Sequence, residues 1–410
     1  MQQIDSSQNL RKCRLIMVSD QNNNKYYEMS EKPGGMFSVV YGRVGAKGAE
    51  AEYPVSQWKK KYNEKIRKGY QDQTHLFKDK KENVIDFDDI TEATVNLLMK
   101  DLYQYSNKSM EDHYNVTADQ VTKQQLEEAQ TLLNDLAGRI KPRMQRPAFN
   151  VALLKLYGII PRKMSNVKDH LVTSKMTIDE INKLIASEQE TLDVMRSQFD
   201  MVSQNDDTEE VEKISILKKL GITIEEEHSS KSIRRIKKMM GVDKDLFYKA
   251  YKVSNIRTEG NFNNTLATKR KKSTELFWHG SRNENWMSIL GTGLVLRPIN
   301  AIITGKMFGY GLYFADKFKK SLNYTSYRGA YWSGGNSDKA YLAIYEVHTG
   351  NQLKTQNHES WHYNLDETML KSKGDYDSLY AKGGADLINN EYIIYNENQC
   401  TVRYLVEIRK

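Results

Sequence analysis

Two stretches of this chain carry residue types that could build a reactive pocket. The first begins at Leu276 as Leu-Phe-Trp-His-Gly-Ser-Arg and closes on Gly-Lys-Met-Phe-Gly-Tyr-Gly-Leu-Tyr-Phe-Ala-Asp, ending at Asp316. An apolar run that ends in His-Gly-Ser reads as a buried strand delivering His279 to a pocket. Gly280 follows it, and with no Cβ it lets a ligand approach the backbone. Gly305, Gly309 and Gly311 repeat that device ahead of Tyr313 and Phe314, an aromatic pair offering a flat face. The second stretch, Asn-Glu-Tyr-Ile-Ile-Tyr from Asn390 to Tyr395, places a carboxylate at the start of a strand-like run.

Competing chemistries find less support. His358-Glu359-Ser360-Trp361-His362 satisfies the His-Glu-x-x-His string of zinc peptidases, which needs both histidines on one helix face. Asn357 before it and Tyr363-Asn364 after it are poor helix text, no apolar stripe surrounds it, and no third ligand follows at a typical spacing. The spacing predicts a loop between strands, and no metal is expected. Neither a Gly-Lys-Ser/Thr phosphate loop nor a Gly-x-Gly-x-x-Gly turn opening a helix is present, so nucleotide use through those folds is not supported.

The elements that must position these residues follow from composition and period. A chain of 410 residues divides into two or three domains on a prior of about 100 to 200 residues each. No apolar run approaches the roughly 18 residues of a membrane span, and the first residues follow neither a secretory nor a transit pattern, so a soluble protein is expected. With only Cys13 and Cys400, a disulfide framework or Cys-rich zinc module is excluded and a reducing compartment is the natural reading. Charge alternates along the chain. Lys plus Arg against Asp plus Glu stand at 16 to 10 over residues 1–85, 14 to 20 over 86–208 and 31 to 23 over 209–410, which argues for three units with different partners.

Residues 1–85 alternate as strands through Leu15–Val18, Lys25–Met29 and Met36–Tyr41, followed by a helix with Trp58, Tyr62 and Ile66 on one face and lysines around it. Residues 86–208 are helical by period. Their stripes are Val95, Leu98, Leu102 and Tyr105, then Leu126, Ala129, Leu133 and Leu136, then Leu192, Met195, Phe199 and Val202. Capping chemistry at Asp119–Thr122 opens the second, and Pro142 and Pro147 are expected to break the chain after it. From residue 209 a basic helix over Lys231–Met240 precedes short apolar runs at Glu275–Trp278, Leu312–Ala315, Tyr341–Val347, Glu391–Tyr395 and Val402–Ile408. Without regular strand-helix alternation, antiparallel pairing is expected.

The segment from Leu276 to Ala315, with Lys319-Lys320-Ser321, Tyr324 and the Asn390–Tyr395 run, closely resembles the catalytic domain of the poly(ADP-ribose) polymerases. Tyr41-Gly42-Arg43-Val44-Gly45 resembles the Trp-Gly-Arg signature of their WGR domains, with Tyr41 where the family usually has Trp. The order and lengths of the helices resemble the family's regulatory domain, which obstructs NAD+ until DNA binding loosens it. The resemblance implies an α+β multidomain protein: a small α/β WGR-like DNA-binding domain over 1–85, an α-helical regulatory bundle over 86–208, and a mixed, mainly antiparallel β ADP-ribosyltransferase domain over 209–410.

The same resemblance implies an NAD+ ADP-ribosyltransferase, stimulated by DNA breaks, that releases nicotinamide and transfers ADP-ribose to protein side chains and growing chains. Mono-transfer, or a DNA-binding adaptor with an inactive transferase domain, is the alternative. Glu391, His279 and Tyr313 are the implied catalytic residues. Gly280, Ser281, Ser321, Tyr324, Lys320 and Arg297 are implied in NAD+ binding. Arg297 is the nearest arginine after Gly293-Leu294, where Val295 replaces the family's usual arginine. Tyr41, Arg43, Lys59 and Lys60 are the implied contacts to DNA ends or nicks, with acceptor proteins including itself as partners, no membrane and a monomeric state. The compartment would be nuclear in a eukaryote and cytoplasmic if the source is bacterial or viral.

Overall fold

The computed structural model describes residues 10–74, 87–141, 143–203, 215–296, 307–327 and 337–410. The chain divides into two compact units, Met1–Glu82 with Met110–Phe199, and Asn83–Ser109 with Asp200–Lys410. In the first, β1 (Lys12–Ser19), β2 (Asn23–Lys32), β3 (Met36–Arg43) and β4 (Ala49–Pro54) make an antiparallel meander. The helix α1 (Trp58–Arg67) then returns the chain to β5 (Gln71–Asp72) on the other edge, giving the order β4-β3-β2-β1-β5. Period-two alternation turns Leu15, Tyr27, Met29, Phe37 and Val39 to one face, where Trp58 and Tyr62 of α1 cover them.

Four long helices follow: α2 (Ala93–His113), α3 (Lys123–Arg139), α4 (Arg146–Ile159) and α5 (Ile178–Ser203). Thr122 opens α3 as half of a capping box, its hydroxyl accepting from Gln125 N–H at 3.2 Å while its own N–H donates to Gln125 Oε1 at 2.9 Å. Pro147 starts α4 instead of breaking the chain, because it falls in the first turn where an N–H has no intrahelical acceptor. Pro142 lies outside the described residues.

The helical stretch is shared between the units. Ile90 and, on α2, Val95, Leu98, Met99 and Leu102 are buried with Ile216, Tyr251, Phe277 and Trp286 in the core of the second unit. The later helices are knit to the first unit's sheet, where Asn24 Nδ2 donates to Arg162 O at 2.8 Å. A helical stripe marks which face is buried and does not say against what.

The second unit continues with α6 (Ile216–Leu220), β6 (Ile222–Glu226), α7 (Ser230–Met240), β7 (Phe247–Asn255), α8 (Ile256–Thr268), β8 (Thr274–Gly280), α9 (Trp286–Thr292) and β9 (Leu312–Phe314). It ends with α10 (Phe318–Leu322), β10 (Lys339–His348), β11 (Gln352–Thr355), α11 (Glu367–Ser372), β12 (Ser378–Ala381), β13 (Glu391–Ile394) and β14 (Cys400–Arg409). They form two sheets, ordered β6-β7-β14-β10-β8 and β11-β12-β13-β9, antiparallel except for the β11–β12 pair. A bridge joins them among the described residues: Trp278 N–H donates to Ala315 O at 2.9 Å, and Ala315 N–H to Trp278 O at 3.1 Å. The chain is therefore an α+β multidomain protein with mainly antiparallel sheets. No helix among the described residues is long and apolar enough to cross a membrane.

Candidate active site

The inter-sheet bridge fixes what meets what. His279 follows Trp278 at the end of β8, paired to Ala343 of the buried interior strand β10, and Tyr313 lies on β9 of the other sheet, paired to Ile393. His279 Nδ1 lies 3.2 Å from the Tyr313 carbonyl oxygen. A carbonyl only accepts, so Nδ1 carries the hydrogen and Nε2 keeps its lone pair for an incoming donor. Burial disfavours the charged ring and lowers the His279 pKa from 6.5 to about 4, the Tyr313 carbonyl opposing this only in part.

Tyr313 is held by its hydroxyl, which donates to Gly309 O at 2.9 Å and accepts from Phe308 N–H at 3.2 Å. The polar tip is thus satisfied by backbone and the ring is left as a fixed aromatic wall. Gly309 has φ +72°, and a Cβ there would run into the Leu365 backbone, so this turn admits only glycine.

Glu391 opens β13, paired to Ala381, and is only 6% exposed. Its Oε1 is ion-paired with the Lys320 ammonium from α10, while Oε2 is buried and has no hydrogen-bond partner among the described residues. A buried carboxylate oxygen left free beside a satisfied one is poised to accept from a ligand hydroxyl. Burial, and after it the Glu391 charge, raises the pKa of both Tyr313 and Tyr324, so both hydroxyls lie in the field of this carboxylate.

Gly280 and Ser321 pack backbone to backbone: a Cβ on Gly280 would collide with the Ser321 carbonyl oxygen. Ser321 is buried, and Tyr324, half-exposed, follows in the turn closing α10, its N–H donating to Ser321 O at 3.1 Å. Ser281 stands just beyond, its hydroxyl accepting from Asn285 Nδ2 at 3.1 Å. Val295 is 53% exposed, and Arg297 lies outside the described residues.

Two supporting contacts have little sequence signal. Asn390 Nδ2 donates to Asp316 Oδ2 at 2.8 Å and ties the start of β13 to the end of β9. Tyr345 of β10 sets its ring 5.9 Å from the His279 ring and 5.7 Å from Phe314. The first could have been suspected from an Asn directly before the Glu; the second is hidden in a mostly apolar run in which both faces are buried. The His-Glu-x-x-His string forms a short turn at Ser360–Asn364, with His362 Nδ1 accepting from Glu359 N–H at 2.8 Å. That bond occupies a nitrogen of a would-be ligand, and the turn lacks the helix the peptidase mechanics require.

The candidate DNA-contacting residues separate into two kinds. Tyr41 on β3 is 41% exposed, and Lys59 and Lys60 on α1 are exposed. Arg43 is engaged: Nε donates to Met164 O at 3.0 Å, Nη1 to Asn22 O at 3.0 Å and Nη2 to Asn22 Oδ1 at 2.9 Å. Its guanidinium splices the sheet and its β1–β2 turn to the segment that follows α4.

Comparison with known proteins adds independent findings. Residues 209–410 match the model of the poly(ADP-ribose) polymerase catalytic domain, and residues 11–77 that of the WGR domain. The putative poly [ADP-ribose] polymerase-like 100L of Invertebrate iridescent virus 6 is 37% identical over 169 residues, 40% of this chain and 86% of that protein. The uncharacterized protein 101L of the same virus is 34% identical over 194 residues, 47% and 80% of the two chains. Poly [ADP-ribose] polymerase 2 of Homo sapiens is 32% identical over 164 residues, 33% and 26% of the two chains.

Proposed function

The chain belongs to the poly(ADP-ribose) polymerase family, an NAD+ ADP-ribosyltransferase, and from that premise we propose that it responds to DNA breaks and builds ADP-ribose chains. The observation that carries the catalytic part is the buried Glu391 carboxylate, one oxygen engaged by Lys320 and the other unpartnered among the described residues, in the same unit as a neutral His279.

In this reading Nε2 of His279 accepts a hydrogen bond from a hydroxyl of the ribose that bears nicotinamide. Tyr313 and Tyr324 face the nicotinamide ring, and the Gly280 backbone and Ser321 hydroxyl hold its carboxamide. Ser281 and Arg297 serve the adenosine side. As the bond from the anomeric carbon to nicotinamide lengthens, positive charge builds on the ribose, and the free Glu391 oxygen stabilises it through a ribose hydroxyl. The acceptor oxygen then forms the new bond to that carbon. Nicotinamide departs with the electron pair of the broken bond, and the acceptor proton passes to the Glu391 carboxylate.

Acceptors are protein side chains, including the enzyme's own, and the hydroxyls of chains already attached. Tyr41, Lys59 and Lys60 meet the phosphates and exposed end of a broken duplex, with Arg43 holding the surface that presents them. The domains are a WGR-like sensor over 1–85, a helical regulatory region over 86–208 that restrains catalysis until DNA binds, and the transferase over 209–410. The protein acts as a monomer, in the nucleus of a eukaryotic host or in the cytoplasm for a bacterial or viral source.

Labelled NAD+ incubated with the protein, with and without a nicked or 5′-phosphorylated duplex, tests each part. A ladder dependent on DNA and lost in Glu391→Gln is expected. A single band instead of a ladder would overturn chain building, equal labelling without DNA would overturn break sensing, and intact NAD+ throughout would overturn catalysis.

A further inference from the structure

Helix α7 reads Ser-Lys-Ser-Ile-Arg-Arg-Ile-Lys-Lys-Met-Met, and the site above makes no use of its charges. Its inner face is firmly seated. Ile236 and Met240 are buried with Trp278, Phe318 and Leu342, and the Trp278 indole N–H donates to Met239 O at 3.3 Å. The helix is thereby fixed against β8, which carries His279, and α10, which carries Lys320.

Its outer face is cationic. Lys231, Arg234, Arg235 and Lys238 are all exposed and recur at i, i+3, i+4 and i+7, a single stripe on the helix. The stripe is about 10 Å long at the rise of an α-helix. Lys237 stands 4.8 Å from the Phe247 ring centroid, and Arg234 Nε is 3.1 Å from Ser230 O. Among the described residues no carboxylate forms an ion pair with any of the four stripe residues. Of the three carboxylates just before the helix, Glu225 is paired with Lys252 and Glu226 with Lys249, and Glu227 accepts from Ser229 N–H, while from Ser230 to Met240 five Lys and Arg stand with no acid.

A merely solvated helix face usually mixes signs, because like charges four residues apart each weaken the helix by a few tenths of a kcal/mol. This stripe has two such pairs, Lys231 with Arg235 and Arg234 with Lys238. A bound polyanion would relieve both. We infer that the stripe is a contact surface for the phosphate backbone of duplex DNA, located on the catalytic unit and distinct from Tyr41, Lys59 and Lys60.

Charge density selects the partner. A duplex carries a charge about every 1.7 Å of axis, so a row of about 10 Å spans roughly six charges. An ADP-ribose chain carries one pyrophosphate per much longer unit and matches the row poorly. The helix has no aromatic side chain to stack a base, so recognition is of the backbone and indifferent to sequence.

The test compares the full chain with a variant combining Lys231→Gln, Arg234→Gln, Arg235→Gln and Lys238→Gln. Binding to a covalently closed dumbbell duplex, which has neither ends nor nicks, is followed by anisotropy through a salt series. The variant is expected to bind about tenfold or more weakly near 0.1 M salt. The slope of log K against log salt should become shallower by about 0.9 for each phosphate that is no longer neutralised, and transfer without DNA should be unchanged. An unchanged slope and affinity would overturn the proposal. So would tighter binding of purified ADP-ribose polymer than of duplex at matched phosphate, if that binding is the one abolished in the variant. Should the fourfold variant fail to fold by circular dichroism, Arg235→Gln and Lys238→Gln singly must each make the slope shallower by about 0.9.

Discussion

Lys320 and Glu391 approach from different elements, α10 and β13, and only one oxygen of the carboxylate is engaged by the ammonium. The pair is buried, so loss of either member leaves the other charge uncompensated. Lys320→Met leaves an uncompensated buried charge, and breaking such a pair costs roughly 3–5 kcal/mol. Glu391→Gln keeps the volume but leaves the buried Lys320 ammonium without its counter-charge, so transfer should fall about 100-fold or more and Tm should fall as well. Melting curves paired with transfer assays check this; a Lys320→Met enzyme with unchanged Tm would contradict it.

The neutral His279 makes stability depend on pH in a definite direction. Folded, it titrates at about 4, against 6.5 for the unperturbed group. Between those values the unfolded chain binds the extra proton, so stability rises with pH there. The contribution is complete above about pH 6.5 and is lost as pH falls toward 4, on the order of 1–3 kcal/mol in all. Urea unfolding of wild type and His279→Gln from pH 4 to 7 should converge at the acid end; parallel curves would rule the assignment out.

Gly280 and Gly260 offer a matched contrast. Gly280→Ala drives a Cβ into the Ser321 carbonyl, so transfer should collapse and Tm fall. Gly260 lies inside α8, exposed, with nothing near its missing Cβ. There alanine should add about 0.5–1 kcal/mol to stability with activity retained. Equal effects from both substitutions would show that the Ser321 contact has no special consequence.

Tyr41→Ala and Arg43→Ala should separate binding from folding. Tyr41 is exposed, so its loss should weaken DNA binding with little change in Tm. Arg43 has three donors on Asn22 and Met164, so its loss should destabilise the first unit by about 1–3 kcal/mol as well as weaken binding. Thermal melts beside titrations with a nicked duplex read both quantities. A fully stable Arg43→Ala protein would contradict the splice.

Asp101 of α2 is ion-paired with Lys339 of β10 and accepts from Tyr341 OH at 3.4 Å. If the helical region restrains catalysis, Asp101→Asn should raise transfer measured without DNA and reduce the stimulation by DNA. Unchanged basal activity would count against restraint through this helix. Removal of residues 86–208 is a poorer probe, since Ile90, Val95, Leu98, Met99 and Leu102 belong to the second unit's core and their loss would unfold what is being assayed.

Much of the site is readable before folding because its parts carry local marks. His279 ends an apolar run, Gly280 and Gly309 stand where a backbone must pass closely, and Glu391 heads a strand. The engagements of these residues are not readable that way. Nothing local to Lys320 says that it meets a residue 71 positions later. Arg43 advertises charge but not that Asn22 and Met164 consume its donors. Tyr345 sits in Lys339–His348, where both faces are buried and alternation cannot say which ring faces His279. The strand β7 escapes for the opposite reason, its Lys249 and Lys252 diluting the apolar signal while Ala250, Tyr251 and Val253 are buried.

The bridge between Trp278 and Ala315 carries a consequence for what an activity measurement reports. His279 belongs to one sheet, Tyr313 and Glu391 to the other, and these two amides are the backbone seam described between them. A partly open form could keep each sheet's ladder intact, with near-native circular dichroism, and still have no catalytic centre. Amide exchange at Trp278 and Ala315 would register that opening before either sheet frayed, making this seam a sensitive gauge of how much of the population is competent at any moment.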